Sequence, residues 1–196
     1  MIAGIILAAG RSSRMGRDKA LLAYRGSTFL GHLIEILHQP RIGFLRIVLG
    51  ENADAVREEI AFDPAQLVVN PHPEQPQLVS LQLAIRSIPE QLVDGALVCL
   101  VDHPCIERET VRLLLDRYYQ SGKRIVIPTL GGRRGHPVLF AASLFGELLA
   151  APLEQGARAV VHKFAANVLE VPTEDEGVIL DIDDPESYRR IASANG

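Results

Sequence analysis

Residues 2–19 read IAGIILAAGRSSRMGRDK, an apolar run that leads directly into a turn of small and basic residues. The run from Ile2 to Ala8 has the length of a strand, and its near-continuous hydrophobicity suits a strand buried on both faces of a parallel sheet. In open parallel sheets, ligands bind beyond the carboxyl ends of the strands. Residues 7–19 are therefore the first candidate for a binding site.

This turn has the composition of a phosphate-binding loop. Its small residues allow backbone N–H groups to approach a phosphate, and its basic residues supply charge-assisted donors. The spacing matches neither GxGxxG nor GxxxxGK[ST], which disfavours a Rossmann dehydrogenase and a P-loop NTPase. For any single arginine, a solvated surface position is an equally good interpretation. The whole string predicts a triphosphate-binding loop that uses Leu7, Ala8, Ala9, Gly10, Arg11, Arg14 and Lys19.

Outward from this loop, short apolar runs alternate with longer amphipathic stretches, which is typical of βαβ units. Strands are predicted at residues 2–8, 45–49, 67–69, 96–101, 124–127, 167–171 and 178–182. Helices are predicted at 28–38, 53–61, 78–88, 107–120, 144–150, 156–164 and from Pro185 onward. The glycine-rich stretch 131–140 predicts a small β insertion. We therefore predict an α/β fold, a three-layer α/β/α sandwich with a mainly parallel sheet, in a single domain spanning residues 1–196.

The net charge and the hydropathy of the sequence limit the classes of binding partner that we expect. The formal net charge of −4 disfavours bulk nucleic-acid binding. Five of the 20 basic residues fall within residues 11–25, which favours a compact anion over a polymer. No apolar run in the sequence approaches the roughly 20 residues of a membrane-spanning helix, and the start lacks the basic segment of a secretory signal. We expect a cytoplasmic protein with reduced cysteines at Cys99 and Cys105 and with neither membrane nor nucleic acid as a partner.

Carboxylates follow two distant strand-like segments. Asp102 ends the run ALVCLV, and LDIDDPESY places Asp181 and Asp183 two residues apart, on one side of an extended segment. Mg²⁺ takes one or two carboxylates together with substrate phosphates, so these residues are candidate magnesium ligands. A lone aspartate at a strand end is more often a turn former or helix cap. Asp184 fits a cap for the helix that begins at Pro185.

Two further segments are candidates for substrate contacts. In GGRRGHPVLF, residues 131–140, glycines allow close approach, and Arg134, Gly135, His136 and Pro137 could contact an acidic acceptor. A simple hairpin turn explains this segment nearly as well. In NPHPEQPQLVS, residues 70–80, Asn70 and Ser80 could hydrogen-bond a base or ribose, although the pattern alone predicts a proline-rich loop and a helix start.

Three of these motifs together resemble a known family. LAAGRSSRMGRDK at residues 7–19 resembles the LAAGxSxRMGxxK signature of the nucleotidyltransferases that attach a nucleoside monophosphate to the molybdenum cofactor. VDHPCI at 101–106 resembles the aspartate-x-proline metal segment of that family, and LDIDDPESY at 180–188 resembles its closing DIDTPED segment. The resemblance covers nearly the whole chain and implies a Rossmann-like nucleotidyltransferase fold.

Within that family, LAAG and the GHP at residues 135–137 resemble the cytidylyltransferase branch, whereas the guanylyltransferase branch reads LAGG. The resemblance implies transfer of CMP from CTP to the phosphate of molybdopterin, with release of pyrophosphate. It implies Arg14, Lys19 and Asp102 as catalytic residues. It also implies Mg²⁺ on Asp102 and Asp183, with Asp181 as a further ligand, and a transient contact with a recipient molybdoenzyme.

One departure from the family pattern concerns substrate identity. A glycine-methionine-serine stretch normally precedes the helix after the third strand, and PQLVSL stands there in this chain. Pro76 lacks an N–H donor and cannot adopt positive φ. Three alternatives therefore stay open: a GTP-dependent molybdopterin transferase, a transferase acting on a sugar or alcohol phosphate, and a non-catalytic nucleotide-binding protein that handles the cofactor.

Overall fold

A mixed eight-stranded sheet forms the centre of the computed structural model, which describes residues 1–10, 16–51 and 53–193. The strands in chain order are β1 (Ile2–Ala8), β2 (Ala23–Tyr24), β3 (Ser27–Thr28), β4 (Ile42–Leu49), β5 (Leu67–Val69), β6 (Gly95–Leu100), β7 (Ile125–Leu130), β8 (Arg133–Arg134), β9 (Val138–Ala141) and β10 (Val168–Pro172). The sheet order is β10-β7-β9-β6-β1-β4-β5, with β8 paired to β7, while β2 and β3 form a separate small hairpin.

Strand direction brings distant segments to one edge of this sheet. The pairs β1–β4, β1–β6, β4–β5 and β7–β10 are parallel, whereas β9 is antiparallel to both β6 and β7. The parallel strands therefore end at a shared carboxyl edge, and β9 begins at that same edge. Segments that follow β1 and β6, and the segment that precedes β9, are neighbours as a result.

Helices cover both faces of the sheet. They are α1 (Phe29–Ile36), α2 (Ala53–Glu59), α3 (Gln77–Arg86), α4 (Arg108–Ser121), α5 (Phe145–Leu149), α6 (Arg158–Lys163) and α7 (Pro185–Ser193). Buried residues of α1, α2, α4 and α7 form one core, and buried residues of α3, α5 and α6 form the other. Strand β1 contributes side chains to both cores, because Ile2 and Ile6 face the first core and Ala3 and Ile5 face the second. The predicted three-layer α/β/α class is confirmed.

None of the helices in the described residues has both the length and the apolar character needed to cross a bilayer.

Two predicted elements differ from the structure. The predicted β insertion contributes β9 to the interior of the main sheet, so this segment is part of the sheet rather than an appendage. The strand predicted at residues 178–182 is wrong: a 3-10 turn spans Glu176–Val178, and residues 180–183 are irregular. This segment runs across the end of β6, where Ile182 N donates to Asp102 O at 2.7 Å, instead of joining an edge of the sheet.

Gly177 allows that crossing. A Cβ atom at Gly177 would overlap the carbonyl group of Cys105, a main-chain group that cannot swing away as a flexible side chain can. Asp175 fixes the same turn, because its Oδ1 accepts from Gly177 N at 2.8 Å. The segment that leads to Asp183 therefore depends on the absence of a side chain at Gly177.

Replacing Gly177 with alanine should lower the free energy of unfolding by about 1–3 kcal/mol, because the added methyl group forces the two backbone segments apart. Gly146→Ala is the matched control: Gly146 is exposed in α5, and a Cβ there meets nothing within 4 Å. This control should leave stability unchanged or raise it by up to about 1 kcal/mol. Urea denaturation measures both effects, and equal midpoints for the wild-type protein and Gly177→Ala would contradict the packing described.

Candidate active site

The main-chain bond between Ile182 N and Asp102 O ties the closing segment of the chain to the end of β6. Ile182 is fully buried in the first core, so the residues on either side of it are held at the carboxyl edge of the sheet. Asp183 follows directly. This bond explains how carboxylates 81 positions apart in the sequence come to face one another.

Lys19 joins the two carboxylates. Its Nζ lies 2.5 Å from Asp183 Oδ1 and 3.9 Å from Asp102 Oδ2, and its side chain is only 15% exposed. Lys19 opens the 3-10 turn Lys19–Leu21, which Asp18 caps by accepting from Ala20 N at 2.8 Å. The structure thus brings Lys19, Asp102 and Asp183 together beyond the carboxyl ends of β1 and β6.

Asp102 is suited to bind a cation. Its Oδ1 is buried and accepts no hydrogen bond from any described residue. Burial raises the pKa of this carboxyl above its ordinary value, and the charge of Lys19 opposes that shift. An unsatisfied buried carboxylate oxygen costs free energy unless a cation or donor reaches it. The donor set therefore fits a hard divalent ion such as Mg²⁺.

This cluster does not make a complete metal cage. Among the described residues, no group of three or more His, Cys, Asp or Glu side chains could hold a metal ion. Two carboxylates leave most coordination positions of Mg²⁺ to water or to substrate phosphates, as is usual for that ion. Metal binding at this edge should therefore depend on a bound polyphosphate.

The neighbouring acidic residues have different surroundings. Asp184 Oδ1 accepts from Ser187 N at 2.8 Å and caps α7, as predicted, and this backbone bond lowers the pKa of Asp184. Asp181 precedes Ile182 in the sequence, and its side chain is exposed. The predicted role of Asp181 as a metal ligand stays a prediction.

The small-residue loop begins beside this cluster. Ala8 and Ala9 are buried, and Gly10 is exposed at the edge of the sheet. Leu7, the penultimate residue of β1, faces the second core and lines a cavity on that face of the sheet. The predicted triphosphate ligands Arg11 and Arg14 lie outside the described residues.

Asn70 and Ser80 bond to each other. Asn70 Nδ2 donates to Ser80 Oγ at 2.9 Å, and Asn70 Oδ1 accepts from His72 N at 2.8 Å. Both side chains are buried. The pair shapes the loop between β5 and α3. The predicted contacts of the Asn70 and Ser80 side chains with a base or ribose stay a prediction.

Two imidazoles lie next to the carboxylate cluster. His103 directly follows Asp102, and its ring centre lies 4.9 Å from that of His136. His136 stands just before β9, and its backbone N donates to Val178 O at 2.7 Å. Burial, together with the nearby His103, lowers the pKa of His136 to about 4. His136 is therefore a neutral donor and acceptor at physiological pH.

Sequence reasoning missed Asp175, which organises this part of the site. Its carboxylate is buried and accepts from Glu107 N at 2.9 Å and Thr110 Oγ1 at 2.7 Å, in addition to Gly177 N. It therefore links the start of α4 to the turn whose carbonyl groups contact His103 and His136. Only the aspartate-x-glycine turn pattern hints at this role, because the other partners lie more than 60 positions away.

A cavity of about 540 Å³ opens beside the imidazole pair, on the second face of the sheet. Arg134, Gly135 and His136, three of the predicted acceptor residues, line it. Pro137 follows His136 and leads into β9. Arg134 Nε donates to Glu170 Oε1 at 2.8 Å, and Arg134 Nη2 lies 2.7 Å from the same oxygen in an ion pair. The start of α3, including Pro76 and Gln77, forms the opposite wall of the cavity.

A lysine between two carboxylates thus lies beside a small-residue loop at the carboxyl edge of a mainly parallel sheet, the edge at which open α/β sheets bind their ligands. Residues 4–168 match the family described as the MobA-like NTP transferase domain, and the chain belongs to that family.

The chain is also similar to solved structures and to a curated protein over nearly its whole length. Rv0371c from Mycobacterium tuberculosis H37Rv is 34% identical, with a TM-score of 0.86 and 98% coverage of each chain. A complex of Rv0371c with manganese is similar, with a TM-score of 0.81, 31% identity and the same coverage. Nicotine blue oxidoreductase of Paenarthrobacter nicotinovorans is 32% identical across 97% of this chain and 96% of that protein.

Longer proteins match over part of their length. Bifunctional protein GlmU of Pseudomonas syringae pv. syringae strain B728a is 34% identical over 115 residues, which are 58% of this chain and 24% of GlmU. The chain therefore corresponds to a minor part of that relative.

The depressed pKa of His136 predicts acid sensitivity. Between about pH 6.5, the ordinary value, and about pH 4, the unfolded chain takes up a proton at this imidazole and the folded protein does not. Stability contributed by the neutral ring is therefore complete above pH 6.5 and lost as the pH falls, by up to about 3 kcal/mol. In His136→Gln, urea midpoints should fall less steeply over this window than in the wild-type protein. His38→Gln, at an exposed histidine, controls for the loss of one imidazole; parallel pH profiles for wild type and His136→Gln would refute the assignment.

Proposed function

We propose that this chain transfers CMP from CTP to the phosphate of molybdopterin and releases pyrophosphate. In this reaction, a phosphate oxygen of molybdopterin bonds to the α-phosphorus of CTP, and the bond between the α- and β-phosphates breaks. The observation that carries the proposal is the convergence of Lys19, Asp102 and Asp183 beside the loop that begins at Leu7. Family membership supports the transfer of a nucleotidyl group.

The chemistry requires charge stabilisation rather than a strong base. The second pKa of a phosphate monoester is about 6, so the attacking oxygen is largely ionised at neutral pH. The barrier comes from bringing two polyanions together and holding them in line. We assign Lys19, Arg11 and Arg14 to neutralise charge on the triphosphate.

We assign Mg²⁺ to Asp102 and Asp183, with Asp181 as an additional ligand from the same segment. The unsatisfied buried Oδ1 of Asp102 supports this assignment, and a related protein has been solved in complex with manganese. When bound, the ion would neutralise phosphate charge and polarise the reacting phosphorus. Lys19, which contacts both carboxylates, would hold them in place before substrate arrives.

We assign the binding of the nucleotide and of the acceptor to segments that neighbour the carboxylate cluster. The LAAG and GHP sequences resemble the cytidylyltransferase branch, which supports cytosine as the base. We assign base and ribose recognition to Asn70 and Ser80 and to the loop that they shape. We assign the molybdopterin to the cavity at Arg134, Gly135, His136 and Pro137. We further propose a cytoplasmic enzyme, a location that the free thiols fit, with transient contact to a recipient molybdoenzyme.

A second candidate function is an oxidation or reduction of an organic compound in the same cavity. The nearly full-length match to a protein named nicotine blue oxidoreductase favours it, because one fold can host unrelated reactions.

Pyrophosphate release measured with CTP, GTP, ATP and UTP, alongside consumption of a nicotinamide reductant, separates the candidates. We expect the highest kcat/KM with CTP. A preference for GTP would identify a GTP-dependent molybdopterin transferase. Turnover only when a sugar or alcohol phosphate replaces molybdopterin would identify a transferase for that acceptor. Nucleotide binding without turnover would identify a non-catalytic protein that handles the cofactor.

Lys19→Ala and Asp102→Asn should each lower kcat for pyrophosphate release by about 10²-fold or more, because each removes a preorganised charge from the reacting phosphates. Lys123→Ala is the matched control: Lys123 precedes β7, at the opposite edge of the sheet, and bonds Ala166 O at 2.9 Å. It should keep the wild-type rate. Steady-state kinetics with purified molybdopterin and CTP measure the effect, and full turnover in either site variant would refute the role assigned.

A further inference from the structure

The cavity beside His136 has an apolar interior. Its floor is the second face of the sheet, formed by Leu7, Val98, Leu100, Ile127, Val138 and Phe140. Its walls come from α3, with Leu78 and Leu81, and from the segment around α6, with Leu153 and Val161. A largely aliphatic floor under a cleft of this kind favours the flat face of a ring system, which buries apolar area there at about 25 cal/mol per Å².

The rim of the same cavity carries cations. Arg158 and His162 lie four positions apart in α6, on one side of the helix, and both line the cavity and are exposed. Arg134 also lines it, but one hydrogen bond and an ion pair commit its guanidinium to Glu170. Arg158 forms no ion pair with any residue in the described part of the chain. Its five donors are therefore available to a ligand.

We propose that this cavity binds a second substrate with a flat, apolar-faced ring body and an anionic group, and that Arg158, with His162, recognises that anion. The inference rests on the proposed function, because it assigns the cavity to the acceptor. It adds a residue on α6, Arg158, that determines specificity for the second substrate. This residue is separate from Lys19, which we assign to the reacting phosphates.

Charge on the rim supports this assignment. Glu154 also lines the cavity, and no ion pair joins it to Arg158 among the described residues. Lys163, the next cation in α6, bonds Glu147 Oε2 at 2.6 Å and does not line the cavity. One helix therefore offers a cation directed to the cavity and a matched cation directed elsewhere.

Fluorescent probe binding tests this proposal without requiring turnover. The probe is anilinonaphthalene sulfonate, a flat apolar body with one anionic group, and uncharged phenylnaphthylamine is its partner without the anion. In Arg158→Gln the Kd for the sulfonate should rise about tenfold or more, because a charge-assisted contact is lost. Binding of the uncharged probe should not change. Glutamine keeps α6 intact, because it is a good helix former at an exposed position.

Two control variants sharpen the result. Lys163→Gln removes the same charge from the same helix and should leave both Kd values unaltered. Glu154→Gln removes the rim carboxylate and should tighten sulfonate binding. Equal sulfonate affinity in wild type and Arg158→Gln, an equal loss in Lys163→Gln, or no binding of either probe would overturn the proposal.

Kinetics with molybdopterin then separate this inference from the proposed function. Arg158→Gln should raise the KM for molybdopterin about tenfold or more and leave the KM for CTP unchanged. If the probes behave as expected while no nucleotide supports turnover, the proposed function fails and the cavity assignment stands. If turnover occurs with CTP and Arg158→Gln leaves the molybdopterin KM unaltered, the cavity assignment fails and the function stands.

Discussion

The hydrogen bond from Ile182 N to Asp102 O, 2.7 Å long, is the constraint on which the rest of the site depends. It fixes the closing segment of the chain across the end of β6, with the Ile182 side chain buried as an anchor. Asp183 then reaches Lys19, and Lys19 in turn faces Asp102. The close approach at Gly177 and the buried carboxylate of Asp175 hold the same segment from its other end.

The site gains its chemistry at some cost in stability. Burial disfavours the charged form of Asp102 and leaves its Oδ1 without a donor among the described residues, while burial also keeps His136 neutral. Such groups are stabilised when a ligand supplies the missing partner. A cation held by polyphosphate would satisfy Asp102, and an acceptor in the cavity would meet the neutral imidazole of His136. Binding of these proposed ligands would therefore stabilise the folded protein at the same residues.

Local patterns in the sequence predict much of this arrangement. Strand β1 has the predicted bounds, α1 lies within the predicted helix, and strand direction alone places Asp102 near the loop that follows β1. Long-range pairing accounts for what was missed. The antiparallel return of β9 into the sheet depends on partners in β6 and β7, and Asp175 depends on the start of α4, so neither has a local signal. The cavity likewise has no local signal, because its walls come from α3 and α6, which are far apart in the sequence.

Binding of Mn²⁺, followed by electron paramagnetic resonance with and without CTP, tests whether Lys19, Asp102 and Asp183 form a site for a metal ion that also contacts a polyphosphate. Two carboxylates and a lysine are a poor site for a bare ion but a good one for an ion that also contacts phosphates. We expect weak binding of Mn²⁺ alone, mutual strengthening of Mn²⁺ and CTP binding by the same factor, and loss of that coupling in Asp183→Asn. Tight Mn²⁺ binding that ignores CTP, or coupling that survives in Asp183→Asn, would contradict this assignment.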